Sequence, residues 1–119
     1  MRRLVRDAIA VGAMLAIAPG SASAHHGWSG YESGKELNVT GTIKESGYEH
    51  PHGHVRLETA GKTWSVVLAP PSRMERRGLT QDMLKPGTGA TVVGYPHRTE
   101  AEEMRAERIT IAGKTTELR

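Results

Sequence analysis

The chain has 119 residues, six histidines and no cysteine. Its length predicts a single domain. The lack of cysteine excludes disulfide bonds, a cysteine nucleophile and thiolate metal ligands.

The first 24 residues have the pattern of a cleaved signal peptide. Met1–Arg6 is basic, Ala8–Ala18 is apolar apart from one glycine, and Ala22-Ser23-Ala24 is a small-x-small cleavage pattern. The apolar run is far shorter than the ~20 residues needed to cross a bilayer. We therefore expect cleavage after Ala24, a periplasmic or secreted protein, and no stable membrane insertion afterwards.

Cleavage changes the charge balance as well as the length. Removing residues 1–24 takes away three arginines and one aspartate, so the formal net charge falls from +3 to +1. A nearly neutral chain gives no electrostatic reason to expect nucleic acid or anionic lipid as a partner.

Residues 25–36 contain three glycines and no apolar period. This composition predicts an N-terminal arm that runs over the surface, with Trp28 and Tyr31 as anchors onto the domain. A disordered leader left after processing is the alternative.

The next segment alternates apolar and polar residues, which predicts strands. Leu37 to Lys44 forms the first strand, and Gly41 within it predicts a bend or bulge. The second strand contains Val55 and Leu57. A tight turn at Ala60-Gly61-Lys62 should join it to a third strand, Thr63 to Ala69.

Short helical elements are expected next. Pro70-Pro71 ends the sheet, Ser72 and Glu75 have the spacing of a capping box, and Gly78 is a stop signal. Thr80 begins a second short turn that runs to Leu84.

Two further strands follow the helical elements. The fourth is predicted at Thr91–Tyr95. The fifth begins near Met104, and a change of phase predicts a bulge between Ala106 and Ile109. A turn at residues 112–114 then leads into a short final strand through Leu118.

This order of elements predicts a mainly all-β domain in residues 37–119. Three strands, one or two short helices and two strands are the layout of a small five-stranded OB-like Greek-key barrel. An open β-sandwich is the alternative.

Several segments, taken in order, resemble a known family. They are Ala24-His25-His26, Val39–Ile43, Pro51-His52, Leu84–Gly87 and Val92–Tyr95. Together they resemble small exported bacterial proteins known as domain of unknown function 6152. The resemblance implies a secreted, periplasmic setting and no established activity. In that family an asparagine usually precedes the Pro-His pair, so His50 and His54 are additions of this chain.

The histidines of the loop before the second strand are the main chemical signal. His50, His52 and His54 alternate, and alternate residues of an extended chain face the same way. Neutral imidazoles suit copper, zinc and nickel. Pro51 and Gly53 make ideal alternation harder to achieve.

The predicted mature N-terminus offers further ligands. Cleavage after Ala24 gives His25 a free α-amine beside its imidazole, the chelate called a histidine brace in copper proteins, with His26 next to it. Cleavage after Ala22 gives Ser23-Ala24-His25, which binds Cu(II) or Ni(II) in a square plane. Ordinary structural or pH-responsive roles for these histidines remain the alternative.

Other residues give weaker signals. His97 is expected to be a surface turn residue, and Arg73, Arg76, Arg77 and Lys85 are expected to form a solvated helix face. The sequence has no nucleophile motif and no pair of carboxylates whose spacing indicates an enzyme. The outward side of the second strand also lacks the aromatic residues on which an OB-fold stacks bases.

We therefore expect a non-enzymatic periplasmic binding module that takes a divalent metal, copper first, through His25, His26, His50, His52 and His54. The alternative is a metal-free interaction module that docks onto another exported or outer-membrane protein through Trp28, Tyr31 and Tyr48.

Overall fold

The computed structural model describes residues 27–119. Their strands and helix are β1 (Leu37–Gly47), β2 (His54–Thr59), β3 (Thr63–Val67), α1 (Pro71–Arg76), β4 (Gly89–Pro96), β5 (Glu103–Ile111) and β6 (Lys114–Glu117), with 3-10 turns at Gly27–Gly30 and Gln81–Leu84. The predicted signal peptide lies outside the described residues. Within residues 27–119, no helix has the length and apolar character of a membrane span.

The strands form a closed barrel. Their order is β3-β2-β1-β4-β5-β6, and a further pairing joins β3 to β5. That pairing is parallel, whereas the other neighbouring strands are antiparallel. It closes five strands into a barrel and leaves β6 as a hairpin extension of β5. The predicted OB-like barrel is confirmed, and the open sandwich is excluded by the closure.

Alternating apolar residues fill the barrel. Val55 and Leu57 of β2 and Ile109 of β5 have no exposed surface, and burying each such side chain stabilises the fold by about 1.5–3 kcal/mol. Met74 of α1 and Leu84 of the second 3-10 turn join the same core. The helical elements between β3 and β4 are thus part of the core packing.

One predicted bulge is confirmed and the other lies elsewhere. The register between β4 and β5 shifts where Arg108 and Ala106 oppose consecutive residues of β4, leaving Glu107 as the extra residue. In β1 the shift falls between Ile43 and Glu45. The bulge is therefore at Lys44, and the prediction of a bulge at Gly41 was wrong.

Gly41 instead allows two strands to approach closely. A Cβ on Gly41 would lie 2.1 Å from the carbonyl oxygen of Glu58 on β2. Such a contact is far inside van der Waals distance, so only glycine fits here.

The predicted capping box at Ser72 and Glu75 was wrong. The N-cap position is Pro70, Pro71 follows as the first helical residue, and no side chain caps the helix. Proline suits the first helical position because its fixed φ is helical and its missing N–H would have no partner there. The predicted stop is confirmed, since Gly78 has a φ of +85°.

Candidate functional site

The described part of the N-terminal arm, residues 27–36, is fastened to the end of β4. Tyr31 pairs with His97 as an isolated β-bridge. The Glu32 N–H donates to the Pro96 carbonyl at 2.9 Å, and the Arg98 N–H donates to the Gly30 carbonyl at 2.9 Å. The arm therefore continues the sheet locally.

The two predicted anchors hold the arm in different ways. Tyr31 is only 7% exposed, and its hydroxyl donates a hydrogen bond to the Glu103 carboxylate. Trp28 makes edge contacts with Tyr31 and Tyr95, at centroid distances of 6.4 and 6.0 Å. Their prediction as anchors is confirmed.

The environment of Tyr31 changes its acidity. Burial and the hydrogen bond to Glu103 raise the pKa of the Tyr31 hydroxyl far above its usual value. The hydrogen bond to Glu107 likewise raises the pKa of Tyr95. Both phenols thus stay protonated donors well above neutral pH.

His97 has a structural role that the sequence did not indicate. Its Nδ1 accepts hydrogen bonds from the N–H groups of Thr99 at 3.1 Å and Glu100 at 3.0 Å, which places the ring proton on Nε2. The ring also packs edge-on against Tyr31 at 5.1 Å. His97 therefore joins the turn after β4 to the arm, and the expectation of a simple surface turn residue was incomplete.

The histidine loop, residues 49–54, brings two potential metal donors together above Gly47. If Gly47 carried a Cβ, that atom would lie 2.2 Å from His54 Cε1 and 2.8 Å from both His54 Nδ1 and Glu49 Oε1. The imidazole and the carboxylate therefore converge over a surface left bare by glycine. Both residues are exposed, so a ligand can reach them from solvent.

The other predicted ligands are arranged differently. His50 is exposed and His52 is half-buried, and His52 Nδ1 is buried without a hydrogen-bond partner among the described residues. Within residues 27–119, no three His, Asp or Glu side chains are grouped closely enough to hold a metal ion. The three loop histidines thus do not converge on one point. His25 and His26 lie outside the described residues.

Strand register relates the histidine loop to the arm. His54 pairs with Val67 of β3, and Val67 pairs with Arg105 of β5. Because β2 and β5 are separated by two strand spacings here, the backbones of His54 and Arg105 lie about 10 Å apart. Trp28 packs on the Arg105 guanidinium, 4.7 Å from the ring centroid, so the described arm starts on a neighbouring surface of the barrel.

The sequence predicted that the arginines in and just after α1 form a solvated face. The structure shows that two of them instead bond to the backbone of another segment. Arg73 is half-buried and donates to the Leu118 carbonyl at 3.0 Å. Arg77 donates to the carbonyls of Glu117 and Arg119. Arg76 and Lys85 are exposed as expected. Two arginines therefore fasten residues 117–119, the C-terminal segment, to the helix.

Comparisons with known proteins give a family and a fold. The model of a family of unknown function, DUF6152, matches residues 13–105. No curated protein matches the chain. Among solved structures, TiaS in complex with a transfer RNA and ATP is similar with a TM-score of 0.51 and 18% identity, and a mutant of TiaS without its ZRD, in complex with agmatine, with 0.50 and 19%.

The similarity to TiaS covers only part of that protein. It spans 71% of this chain in both comparisons, but 19% and 24% of the two TiaS chains. At this identity the likeness shows a shared barrel fold and nothing about ligands.

Proposed function

We propose a function for this chain, which belongs to the family of unknown function DUF6152, from its own side chains. The chain is a non-enzymatic periplasmic module that binds a divalent metal, with copper preferred over zinc or nickel. The ligands come from the histidine loop and from the mature N-terminus at His25 and His26.

The convergence of His54 and Glu49 over Gly47 is the observation that carries this proposal. An imidazole nitrogen and a carboxylate oxygen are both good donors to copper and zinc. Two donors alone make an incomplete site, because zinc and copper sites in proteins usually take three or four. The missing donors must come from another segment.

The N-terminal arm is the segment that can supply them. His25 is three residues before Trp28, and three extended residues reach about 10 Å. That length is comparable to the separation between the Arg105 and His54 backbones. An α-amine and an imidazole from His25 would complete a four-donor site with His54 and Glu49. The unpartnered Nδ1 of His52 is the next donor along the loop.

Calorimetric titration of the processed protein with Cu(II) and Zn(II) tests the proposal. The protein must first be shown by intact mass to begin at His25. We expect submicromolar Cu(II) binding that is lost in a His50/His52/His54→Ala variant, and binding weakened about tenfold in Glu49→Gln, as expected when one charged ligand is lost.

Two controls make the result specific. Glu45→Gln removes an exposed carboxylate from the same strand that leads into the loop, and it should bind Cu(II) like the parent. The parent protein with its α-amine acetylated should bind more weakly, because the resulting amide nitrogen has lost its donor lone pair. Absence of submicromolar binding in the parent, or equal binding by the triple variant, would refute the proposal.

The alternative of a protein-docking module gains little from the geometry. The Tyr31 hydroxyl is used by Glu103 and the Tyr48 hydroxyl by the Leu79 carbonyl. Tyr31 is also buried. The third proposed contact residue, Trp28, lies against two arginine side chains. Positive charges at this place favour an anion as the ligand.

A further inference from the structure

Trp28 is shared by two arginine side chains that are distant in sequence. The Arg105 Cζ lies 4.7 Å from the ring centroid and the Arg119 Cζ lies 4.5 Å from it. Each guanidinium is attracted to the indole ring. The two cations are therefore held no more than about twice that distance apart, although their like charges repel.

Arg105 has a half-buried charge with no counter-ion among residues 27–119. Its Nε is buried and makes no hydrogen bond within the described residues. Burial is the main cause that lowers the pKa of Arg105; Tyr31 acts in the opposite direction, and the positive charges of Arg73 and Arg119 lower the pKa further. A buried charge costs free energy unless it is paired and hydrogen-bonded, so this site is electrostatically unsatisfied.

The nearby carboxylates are already engaged by other groups. Glu103, two residues before Arg105 on β5, accepts the Tyr31 hydroxyl. Glu107, two residues after it, accepts the Tyr95 hydroxyl at 2.9 Å. Glu107 also lies 3.5 Å from Arg108 and 3.6 Å from Arg119. Neither carboxylate forms an ion pair with Arg105 among the described residues.

Arg73 adds a third positive charge at a fixed place. Its bond to the Leu118 carbonyl holds the side chain beside the segment whose next residue, Arg119, covers Trp28. One N–H group makes that bond, and a guanidinium has five. Donors therefore remain for a ligand.

We propose that Arg73, Arg105 and Arg119 form a binding site for an oxyanion, either a carboxylate or a phosphate, beside Trp28. Guanidinium groups match the two oxygens of such anions with paired hydrogen bonds. The anion supplies the counter-ion that Arg105 lacks, and the flat Trp28 ring forms one wall of the site.

Fluorescence of Trp28 provides the test. The chain has two tryptophans, so a Trp64→Phe background leaves Trp28 as the single reporter. The processed, metal-free protein is titrated with inorganic phosphate and separately with acetate at constant ionic strength. We expect saturable quenching or enhancement with a dissociation constant below about 1 mM for the preferred anion. The better anion identifies which of the two chemistries the site takes.

Arginine variants show whether the signal comes from this site. Arg105→Gln and Arg73→Gln should each weaken binding about tenfold, the loss expected for one charged hydrogen-bond donor. Arg73→Gln leaves the Trp28 stack on Arg105 in place, so it is informative even if Arg105→Gln loosens the arm. Arg76→Gln is the matched control, because Arg76 is exposed on the same helix and, within the described part of the chain, its side chain donates only to the Ser72 carbonyl.

Three results would overturn the proposal. They are no saturable response to either anion below about 10 mM, equal binding by parent and Arg73→Gln, or an equal loss in Arg76→Gln, which would indicate only general attraction to positive charge.

Discussion

Tyr31 is the residue that most directly ties the arm to the barrel. Its hydroxyl is buried against Glu103, and this contact persists only while the phenol is protonated, because a phenolate would face a carboxylate. The folded-state pKa is raised above the unfolded value of about 10. The stability contributed by this bond is therefore fully present below pH ~10 and is lost as the pH rises through the folded pKa.

We predict that the free energy of unfolding falls above pH ~10 and that Tyr31→Phe falls less steeply. At neutral pH the variant should be less stable by about 0.5–1.5 kcal/mol, the usual value of one hydrogen bond. Urea denaturation of both proteins at a series of alkaline pH values measures the two slopes. Parallel slopes would show that Tyr31 does not titrate with unfolding.

At the residue scale, the anchors of the arm were predictable from the local sequence, but the proposed arginine site was not. Trp28 and Tyr31 were predictable because aromatic residues in a glycine-rich arm need an apolar surface. Arg73, Arg105 and Arg119 were not, because α1, β5 and the C-terminal segment meet only in the folded chain. The convergence of Glu49 and His54 was also hidden, since it depends on the bare surface of Gly47.

At the scale of the elements, β1 depends on its close approach to β2 at Gly41. We predict that Gly41→Ala destabilises the protein by about 1–3 kcal/mol or more, because the added methyl group meets backbone atoms that cannot move independently. Urea denaturation measures this difference.

Gly61→Ala is the matched control. A Cβ at Gly61 meets nothing within 4 Å, so the change should stay within about 0.5 kcal/mol. Similar losses in both variants would mean that glycine flexibility, rather than strand approach, determines the cost at Gly41.

The strands were largely predictable because alternation records which side of each strand is buried. The phase change in β5 even located a bulge, since an extra residue exchanges the two faces. The predicted start of α1 was wrong because serine and glutamate at this spacing do not distinguish a capping box from a helix that begins at a proline. Pro71 supplies a preset helical φ and made a side-chain cap unnecessary. The parallel pairing of β3 with β5 leaves no local signal, so barrel closure was inferred from element order alone.

At the scale of the whole molecule, the C-terminal segment links α1, β5 and the arm. Leu118 is 1% exposed, and its N–H donates to the Glu107 carbonyl at 2.7 Å. We predict that Leu118→Ala lowers the free energy of unfolding by about 2–5 kcal/mol, as measured by thermal or urea denaturation.

Arg119→Ala separates stability from the arm contact. Arg119 is exposed, so its loss should cost less than about 1 kcal/mol, while the fluorescence of Trp28 should change because one cation leaves its ring. A small cost in Leu118→Ala would show that this segment is not part of the cooperative core.

The contact between Arg119 and Trp28 also affects how the protein should be labelled. A purification tag fused after Arg119 leaves from the surface that carries the indole ring and the arginines. A polyhistidine tag there adds bulk next to the proposed oxyanion site, and its own imidazoles would bind copper, so it would distort titrations with phosphate and with copper. The exposed turn at Ala60-Gly61 is a better place for a fluorophore or epitope, because it leaves both the predicted mature N-terminus and the C-terminal segment unchanged.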